Sequence, residues 1–270
     1  MSINPASLSS RSPSQAYLDH CRQLTDCVEM QLSAIAQAAD WFSESILGGR
    51  MVHVFGSGHS RIMVEEMWPR YGSFPGFNPI VEMSLTFHNL VVGCNGQRQA
   101  MFLENVSGLA DRILRNFDLS DTDSAFVCSS SGCNVVPIEM AEAFQKQGIR
   151  VVALVSAKHS QASTTKHSRG IKLTDVADLV LDTGAPAGDA MVHVDNLDTP
   201  VAPGSTVGGC LVVNAIKAEV AARLTAAGQP PKVLTAGCVV GSERAVELFE
   251  SAYDEHAHRL ARLYEKVSGS

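Results

Sequence analysis

Short apolar runs alternate along the chain with longer segments in which apolar residues recur at helical spacing. Four of these runs predict strands, at 51–55, 123–128, 148–155 and 178–182, and a short strand is also predicted at 78–83. A run that is apolar throughout is typical of a parallel strand that helices cover on both faces. Strands that alternate with helices predict a doubly wound α/β sheet, whose ligands bind beyond the carboxyl ends of the strands.

Two long helices are predicted towards the ends of the chain. The first spans 15–47 and is ended by the Gly48-Gly49 pair. Its apolar seam recurs every three or four residues, at Val28, Leu32, Ile35, Ala39, Phe42 and Ile46. The second is amphipathic and spans 242–266.

The chain shows neither an internal repeat nor a linker between domains. Its 270 residues are enough for one large domain. We therefore predict a flexible, Ser/Pro-rich leader at 1–14 and a single domain at 15–270, whose core lies at 51–227.

A serine-rich turn follows the strand predicted at 123–128 and precedes a helix predicted at 135–147. A helix N-terminus favours an anion, serine hydroxyls add donors, and a glycine lets the backbone approach a ligand closely. The turn therefore predicts a phosphate site, although an ordinary Ser/Gly turn with a helix cap fits as well. The candidate residues are Ser129, Ser130, Ser131, Gly132 and Asn134.

A second polar turn follows the strand predicted at 51–55. It lacks the third glycine of a dinucleotide-binding fingerprint, and the chain contains no GxxxxGK[ST] motif, so neither NAD nor ATP is expected. His53 lies inside an apolar run and is interpreted as a core histidine. The candidate ligand contacts are Gly56, Ser57, Gly58, His59 and Ser60.

Composition narrows the choice of partners. The formal net charge is -7, and the absence of a basic block argues against nucleic acid and anionic membranes. No apolar run approaches the length of a membrane span. The seven cysteines form no CxxC pair and fit free thiols in a reducing cytoplasm, so neither a metal nor a cofactor is predicted.

The pairing of the two turns resembles the sugar isomerase (SIS) domain. The likeness covers about 15–227, where Phe55-Gly56-Ser57-Gly58-His59-Ser60 and Ser129-Ser130-Ser131-Gly132-Cys133-Asn134 each follow an apolar strand. The resemblance implies a flavodoxin-like three-layer α/β/α sandwich with a five-stranded parallel sheet. It also implies phosphate contacts from Ser129, Ser131 and Asn134, with Ser57 and Ser60 near the sugar.

Two glutamates match family motifs. The segment Glu66-Met67-Trp68-Pro69-Arg70-Tyr71 is similar to the ELxGRY stretch of phosphoheptose isomerases, whose glutamate is the catalytic base. It is also similar to the ECPPTFG stretch of N-acetylmuramic acid 6-phosphate etherases. The segment Glu104-Asn105-Val106-Ser107-Gly108 resembles the EDSxxxG segment of those etherases, which carries a second acid/base glutamate. An acidic residue that opens a helix is the ordinary alternative for Glu104.

One departure from the phosphoheptose isomerases is informative. Their QExxH motif is absent, and the segment Pro203-Gly204-Ser205-Thr206-Val207 in that region is more similar to the GST turn of the etherases. Ser205 and Thr206 are therefore added to the predicted substrate contacts.

Three functions fit these residues. The first is an aldose–ketose isomerase of anionic sugars, with Glu66 as the base and Glu104, His59, His193 or a histidine of a neighbouring subunit opening the ring. Partial burial against Trp68 and Tyr71 would raise the pKa of Glu66. The second is an etherase-type lyase using both glutamates, and the third is a non-catalytic sugar-phosphate-binding module.

Assembly is predicted from the apolar seams of the terminal helices and from the resemblance. SIS domains often share sites between subunits, which implies a homodimer or homotetramer with sites near the subunit interface. The sequence leaves open which sugar binds and whether its anion is a phosphate or a sulfonate.

Overall fold

A parallel sheet organises the computed structural model of the protein, which describes residues 11–86 and 97–265. Within these ranges the main sheet has five strands in the order β2-β1-β3-β4-β5, all parallel. This is the flavodoxin-like strand order. The five predicted strands are confirmed: β1 Val52–Gly56, β2 Phe77–Ile80, β3 Ser124–Cys128, β4 Arg150–Val155 and β5 Leu179–Asp182.

Helices and a small hairpin complete the described fold. The hairpin pairs β6 Ala190–Val192 with β7 Val201–Pro203 in antiparallel register, and a short 3₁₀ turn, Gly58–Ser60, precedes the third helix. The helices are α1 Pro13–Glu29, α2 Leu32–Leu47, α3 Arg61–Met67, α4 Met83–Thr86, α5 Gln97–Leu103, α6 Leu109–Leu114, α7 Val135–Lys146, α8 Ala157–Ala162, α9 Leu173–Val176, α10 Ser205–Ala226, α11 Gly237–Val240 and α12 Ser242–Leu263.

Side-chain alternation along the strands builds two apolar layers. In β3, Phe126 and Cys128 belong to the cluster that α2, α3 and α10 cover, whereas Ala125 and Val127 belong to the cluster that α6 and α7 cover. Successive side chains of a strand point to opposite faces, so an all-apolar strand contributes to both layers. Burying each large side chain contributes roughly 1.5–3 kcal/mol. The predicted three-layer α/β/α sandwich is confirmed.

The helix predicted over 15–47 is two helices, broken at Met30 and Gln31. The side-chain amide of Gln31 donates to the Asp182 carbonyl at 2.9 Å and accepts the Asp182 N–H at 2.7 Å. It thereby pairs with the backbone at the end of edge strand β5, which apolar periodicity cannot reveal. Leu32, predicted in the buried seam, is 55% exposed at the break.

Two further expectations were wrong. The sequence predicts a helix that opens at 104–108 and runs to about Phe117, but α5 ends at Leu103 and α6 begins at Leu109, which leaves Glu104 in the connection between them. The prolines and glycines at 183–204 predict a long loop, but this segment contains the β6–β7 hairpin, whose three-residue strands are too short to show a period.

The terminal boundaries shift slightly. The predicted leader overlaps α1, because Ser12 caps the helix that begins at Pro13, and residues 1–10 lie outside the described residues. The last helix ends at Leu263, and residue 266 lies outside them as well. In the described ranges no helix has the length and apolarity needed to cross a bilayer.

The C-terminal helix α12 packs beside the amino ends of the strands. Arg259 donates to the carbonyls of Ile46 and Arg50, at 3.1 and 2.9 Å, and Arg50 itself pairs with buried Asp123 just before β3. The opposite ends of the strands, where the polar turns lie, are therefore left for a site.

Candidate functional site

A cavity of about 320 Å³ lies at the carboxyl ends of β1 and β3. After β1 the chain continues to β2 on one side of the sheet, and after β3 it continues to β4 on the other side. The crevice between β1 and β3 is therefore the topological switch point, where α/β sheets bind ligands. The register pairs Gly56 with Cys128, so the two polar turns that follow stand side by side. Segments after β4 and β5, α5 and the start of α10 complete the wall.

The serine turn presents hydrogen-bond donors to this cavity. The hydroxyls of Ser129 and Ser131 accept the N–H groups of Gly132 and Cys133, both at 3.2 Å, and therefore keep their own O–H hydrogens for a ligand. The Ser130 hydroxyl is buried without a partner among the described residues. A buried polar group without a partner is costly, and Ser130 lines the cavity, so its hydroxyl is a candidate ligand contact.

Glycine is required in both turns for different reasons. Gly132 has a φ of +60°, and a Cβ there would lie 3.3 Å from the Cβ of Leu173. A Cβ on Gly56 would lie 2.5 Å from the Ser60 carbonyl oxygen, because the chain folds back sharply after β1. Both glycines thus shape the wall, while their neighbours supply its polar groups.

Glu104 joins the two turns. Its Oε2 accepts the Ser57 hydroxyl at 2.9 Å, and its Oε1 accepts the Asn134 side-chain amide at 2.7 Å. Its main-chain carbonyl accepts the N–H of Val136 in the first turn of α7, at 2.9 Å. The residue is thus held at its backbone and at both carboxylate oxygens, and its side chain lines the cavity.

The pKa of Glu104 is raised. Burial of the carboxyl raises it by more than the Ser57 hydrogen bond and the positive charge of Lys166 lower it. Each carboxylate oxygen accepts one hydrogen bond from a named donor and keeps a second lone pair. A carboxylate of raised pKa with an accessible lone pair suits reversible proton transfer near neutral pH.

The far wall is built around Asp189. Its carboxylate accepts the N–H groups of Gly204 and Ser205, at 3.1 and 2.7 Å, and the Ser205 hydroxyl at 2.9 Å. Asp189 therefore occupies the N-terminus of α10, and the Ser205 hydroxyl is committed to it. Thr206, one residue on, lines the cavity beside Ser205.

Most of the predicted site residues meet in this cavity. Gly56 and Gly132 shape the turns without lining it. The predicted residues that line it are Ser57, Gly58, His59, Ser60, Glu104, Ser129, Ser130, Ser131, Asn134, Ser205 and Thr206. The lining also includes residues that the prediction omitted, among them Gln97, His159, Thr183 and Asp189. The sequence offered one signal for His159, Thr183 and Asp189: they follow β4 or β5, and both strands end at the edge of the sheet where the cavity lies.

Glu66 lies outside the cavity, on a separate groove beside Tyr71, Phe249 and Tyr253. Its carboxylate accepts hydrogen bonds from Asn214 at 2.9 Å and Arg70 at 2.5 Å. Within this chain, the structure does not bring it to the serine turns.

The raised pKa expected for Glu66 was wrong. Burial raises it, but the hydrogen bonds from Asn214 and Arg70 and the charge of Lys217 together hold it below its ordinary value. Trp68, expected against this carboxyl, is buried against the rings of Tyr253 and His256.

His193 also lies apart from the cavity. It follows β6 in an exposed turn and does not line the wall. In the described part of the chain, no group of three or more His, Cys, Asp or Glu side chains could hold a metal ion.

Comparison with known proteins identifies the family. A phosphoheptose isomerase from Francisella tularensis superposes with a TM-score of 0.47 at 15% identity, over 79% of this chain and 98% of that one. A UPF0309 protein of Halalkalibacterium halodurans is 33% identical over 84% of this chain and 93% of its own length. Another, from Geobacillus kaustophilus, is 32% identical over 86% of each chain. Since the SIS domain profile also matches residues 16–156, the chain belongs to the SIS domain family.

Proposed function

We propose that the protein is an aldose–ketose isomerase of a sugar phosphate or a similar anionic sugar, with Glu104 as the base. The observation that carries the proposal is the Glu104 carboxylate of raised pKa, held between the two serine turns in the cavity wall. The cavity, at about 320 Å³, is at the small end of the usual range for ligand pockets and suits one monosaccharide.

The serine turn supports the anionic end of the substrate. The N–H groups of Ser130 and Ser131 make no hydrogen bond within the described chain, and the Ser130 hydroxyl is unpartnered. The N-terminus of the twelve-residue helix α7 lies directly behind them. Because hydrogen bonds to a charged group contribute roughly 1.5–3 kcal/mol each, a few such donors would hold the anion firmly.

The reaction needs one proton to move between neighbouring carbons. In the direction from aldose to ketose, the Glu104 carboxylate takes the proton from C2 of the open-chain sugar. The electron pair of that C–H bond forms the C1–C2 double bond, and the carbonyl π electrons move to O1. A proton passes from O2 to O1, and Glu104 returns its proton to C1, so no external oxidant or reductant is needed.

The positions of the two glutamates make the isomerase preferable to the lyase. An etherase-type mechanism with Glu66 and Glu104 requires both carboxylates at one substrate, and Glu66 is held by Asn214 and Arg70 outside the cavity. The other carboxylate of the wall, Asp189, is occupied by the N-terminus of α10.

Proton NMR in deuterated water tests the proposal with a panel of aldose and ketose phosphates and a lactyl ether of a sugar phosphate. We expect deuterium to enter C1 or C2 of at least one sugar. Release of lactate would instead support the lyase. Saturable binding of sugar phosphates without exchange or cleavage would support a non-catalytic binding module.

A further inference from the structure

His159 lines the cavity from α8, and its ring is held by a main-chain contact. The N–H of Gly188 donates to its Nδ1 at 2.8 Å. An acceptor nitrogen must carry a lone pair, so the hydrogen of the neutral ring lies on Nε2. The imidazole therefore offers an N–H donor, with its tautomer set by the backbone.

The loop that carries Gly188 is anchored on both sides. The Ser156 hydroxyl donates to the Ala185 carbonyl at 2.7 Å, in a buried contact between the start of α8 and this loop. Directly after Gly188, the Asp189 carboxylate is fixed on Ser205 of α10. The Gly188 N–H is thus supported by two elements, and the orientation of the His159 ring follows from the fold rather than from solvent.

We propose that His159 is the electrophilic catalytic residue of the site, an inference that rests on the proposed isomerase function. Its Nε2–H donates to the O1 carbonyl oxygen of the open-chain sugar. As Glu104 removes the C2 proton, negative charge grows on O1, and the hydrogen bond strengthens with it. Nε2 keeps its hydrogen throughout, so His159 stabilises the enediolate by hydrogen bonding alone and transfers no proton.

Two substitutions separate this role from simple support of the loop. In His159→Asn the side-chain oxygen can replace Nδ1 as the acceptor for Gly188, but no donor reaches the position of Nε2. In His159→Gln the amide nitrogen can reach the position of Nε2, but the contact with Gly188 is lost. A catalytic donor and a loop support therefore predict opposite rankings of the two variants.

The experiment measures kcat and KM of wild type, His159→Asn, His159→Gln and the control His258→Asn, with the sugar phosphate that the wild type turns over. His258 is exposed on α12, away from the cavity. We expect His159→Asn to lower kcat by about 100-fold or more with KM nearly unchanged, because removing one oxyanion donor costs about that much. We expect His159→Gln to retain most of kcat and His258→Asn to match the wild type.

Other outcomes overturn the inference. If His159→Asn remains active while His159→Gln fails, His159 supports the Gly188 loop. If both variants turn over normally, or both lose substrate binding with kcat unchanged, it is not an electrophile. These results leave the isomerase function standing, whereas a wild type that turns over no sugar phosphate refutes that function and this inference together.

Discussion

At the scale of single residues, the proposed chemistry depends on a carboxylate that folding places in an unfavourable environment. Glu104 is half-buried, and desolvation of its carboxyl raises its pKa despite the hydrogen bond from Ser57 and the charge of Lys166. Groups whose pKa is shifted by burial beside specific partners cluster at functional sites. Its side chain lines the cavity, and each carboxylate oxygen keeps acceptor capacity beyond the one hydrogen bond that it accepts.

The energetic cost of ionising Glu104 in the folded protein should appear as a dependence of the free energy of unfolding on pH. Because the folded-state pKa of Glu104 lies above its ordinary value of 4.5, its contribution is fully present below that pH and is lost as the pH rises through the folded pKa. Glu104→Gln cannot ionise. We therefore expect its free energy of unfolding to increase relative to that of wild type as the pH rises from 4.5 to the folded-state pKa of Glu104. Urea unfolding at several pH values measures this, and a constant difference would contradict it.

The Ser130 hydroxyl should matter for the ligand and not for the fold. It is buried without a partner in the described ranges, so Ser130→Ala removes no internal hydrogen bond. We expect binding of inorganic phosphate to weaken by about tenfold, since a hydrogen bond to a charged group contributes roughly 1.5–3 kcal/mol, while Tm stays within a degree or so of wild type.

Ser124→Ala is the matched control for that experiment. The Ser124 hydroxyl is also buried, but it contacts the Ser45 hydroxyl at 2.8 Å and lies away from the cavity. Here stability should fall by about 1 kcal/mol with phosphate binding unchanged. Equal effects of the two substitutions on phosphate affinity would place the anion elsewhere.

Sequence reasoning reached some of these residues and missed others for identifiable reasons. Ser129 to Ser131 were found because a serine run between a strand and a helix has a direct physical meaning. His159 and Asp189 were missed as site residues because their roles depend on Gly188 and Ser205, which are distant in sequence. Glu66 was chosen from a motif, and a motif carries no information about which groove its side chain faces.

At the scale of elements, close packing of α10 on the end of β5 positions the far wall. A Cβ on Gly208 would lie 1.9 Å from the Thr183 carbonyl oxygen, in the backbone just after β5. The neighbouring Gly209 faces Met63, where a Cβ would lie 2.5 Å from a flexible thioether sulfur. A methyl group added at Gly208 would therefore meet rigid backbone, whereas one added at Gly209 would meet a flexible side chain.

Gly208→Ala should separate helix and strand, whereas Gly209→Ala should be accommodated. We expect Gly208→Ala to destabilise the fold by about 3 kcal/mol or more, and Gly209→Ala to cost under about 1.5 kcal/mol because Met63 can change rotamer. Chemical denaturation measures both. A similar cost for the two substitutions would show that α10 and β5 shift apart easily.

Secondary-structure elements were predictable where a local pattern of apolar residues marks them. Four strands of the main sheet were found because each is a largely apolar run between turn signals. The strand β2, Phe77–Ile80, contains Asn78 and Pro79, and its predicted bounds of 78–83 were less accurate. The break between α1 and α2 was not found, because it depends on the Gln31 amide meeting the backbone of Asp182, a tertiary contact that no local pattern encodes. The connection around Glu104 was misread for the same reason: its position is set by contacts to Ser57 and α7.

At the scale of the whole molecule, the groove beside Glu66 leaves large apolar side chains uncovered. Tyr71 on this groove is 63% exposed and Phe249 45%, and Val246, three residues before Phe249 on α12, is 60% exposed. Clustered apolar exposure of this kind marks interaction surfaces. It agrees with the prediction of a homodimer or homotetramer.

Sedimentation velocity at micromolar concentration tests the assembly. We expect a single species with the mass of a dimer or tetramer, and we expect Phe249→Glu to shift it towards monomer, because a charge on an apolar interface is costly to bury. Leu197→Glu is the control, because Leu197 is exposed between β6 and β7 and belongs to neither terminal helix. A stable wild-type monomer would contradict the prediction.

The most direct test of the central claim is deuterium exchange at C1 and C2 of the sugar phosphate, followed by proton NMR for the wild type, Glu104→Gln and Glu66→Gln. The account predicts that Glu104→Gln lowers exchange by about 100-fold or more while sugar-phosphate binding persists, because it removes the positioned base. It predicts that Glu66→Gln stays close to wild type. Exchange that survives in Glu104→Gln and stops in Glu66→Gln would contradict the account and assign the base to the other glutamate.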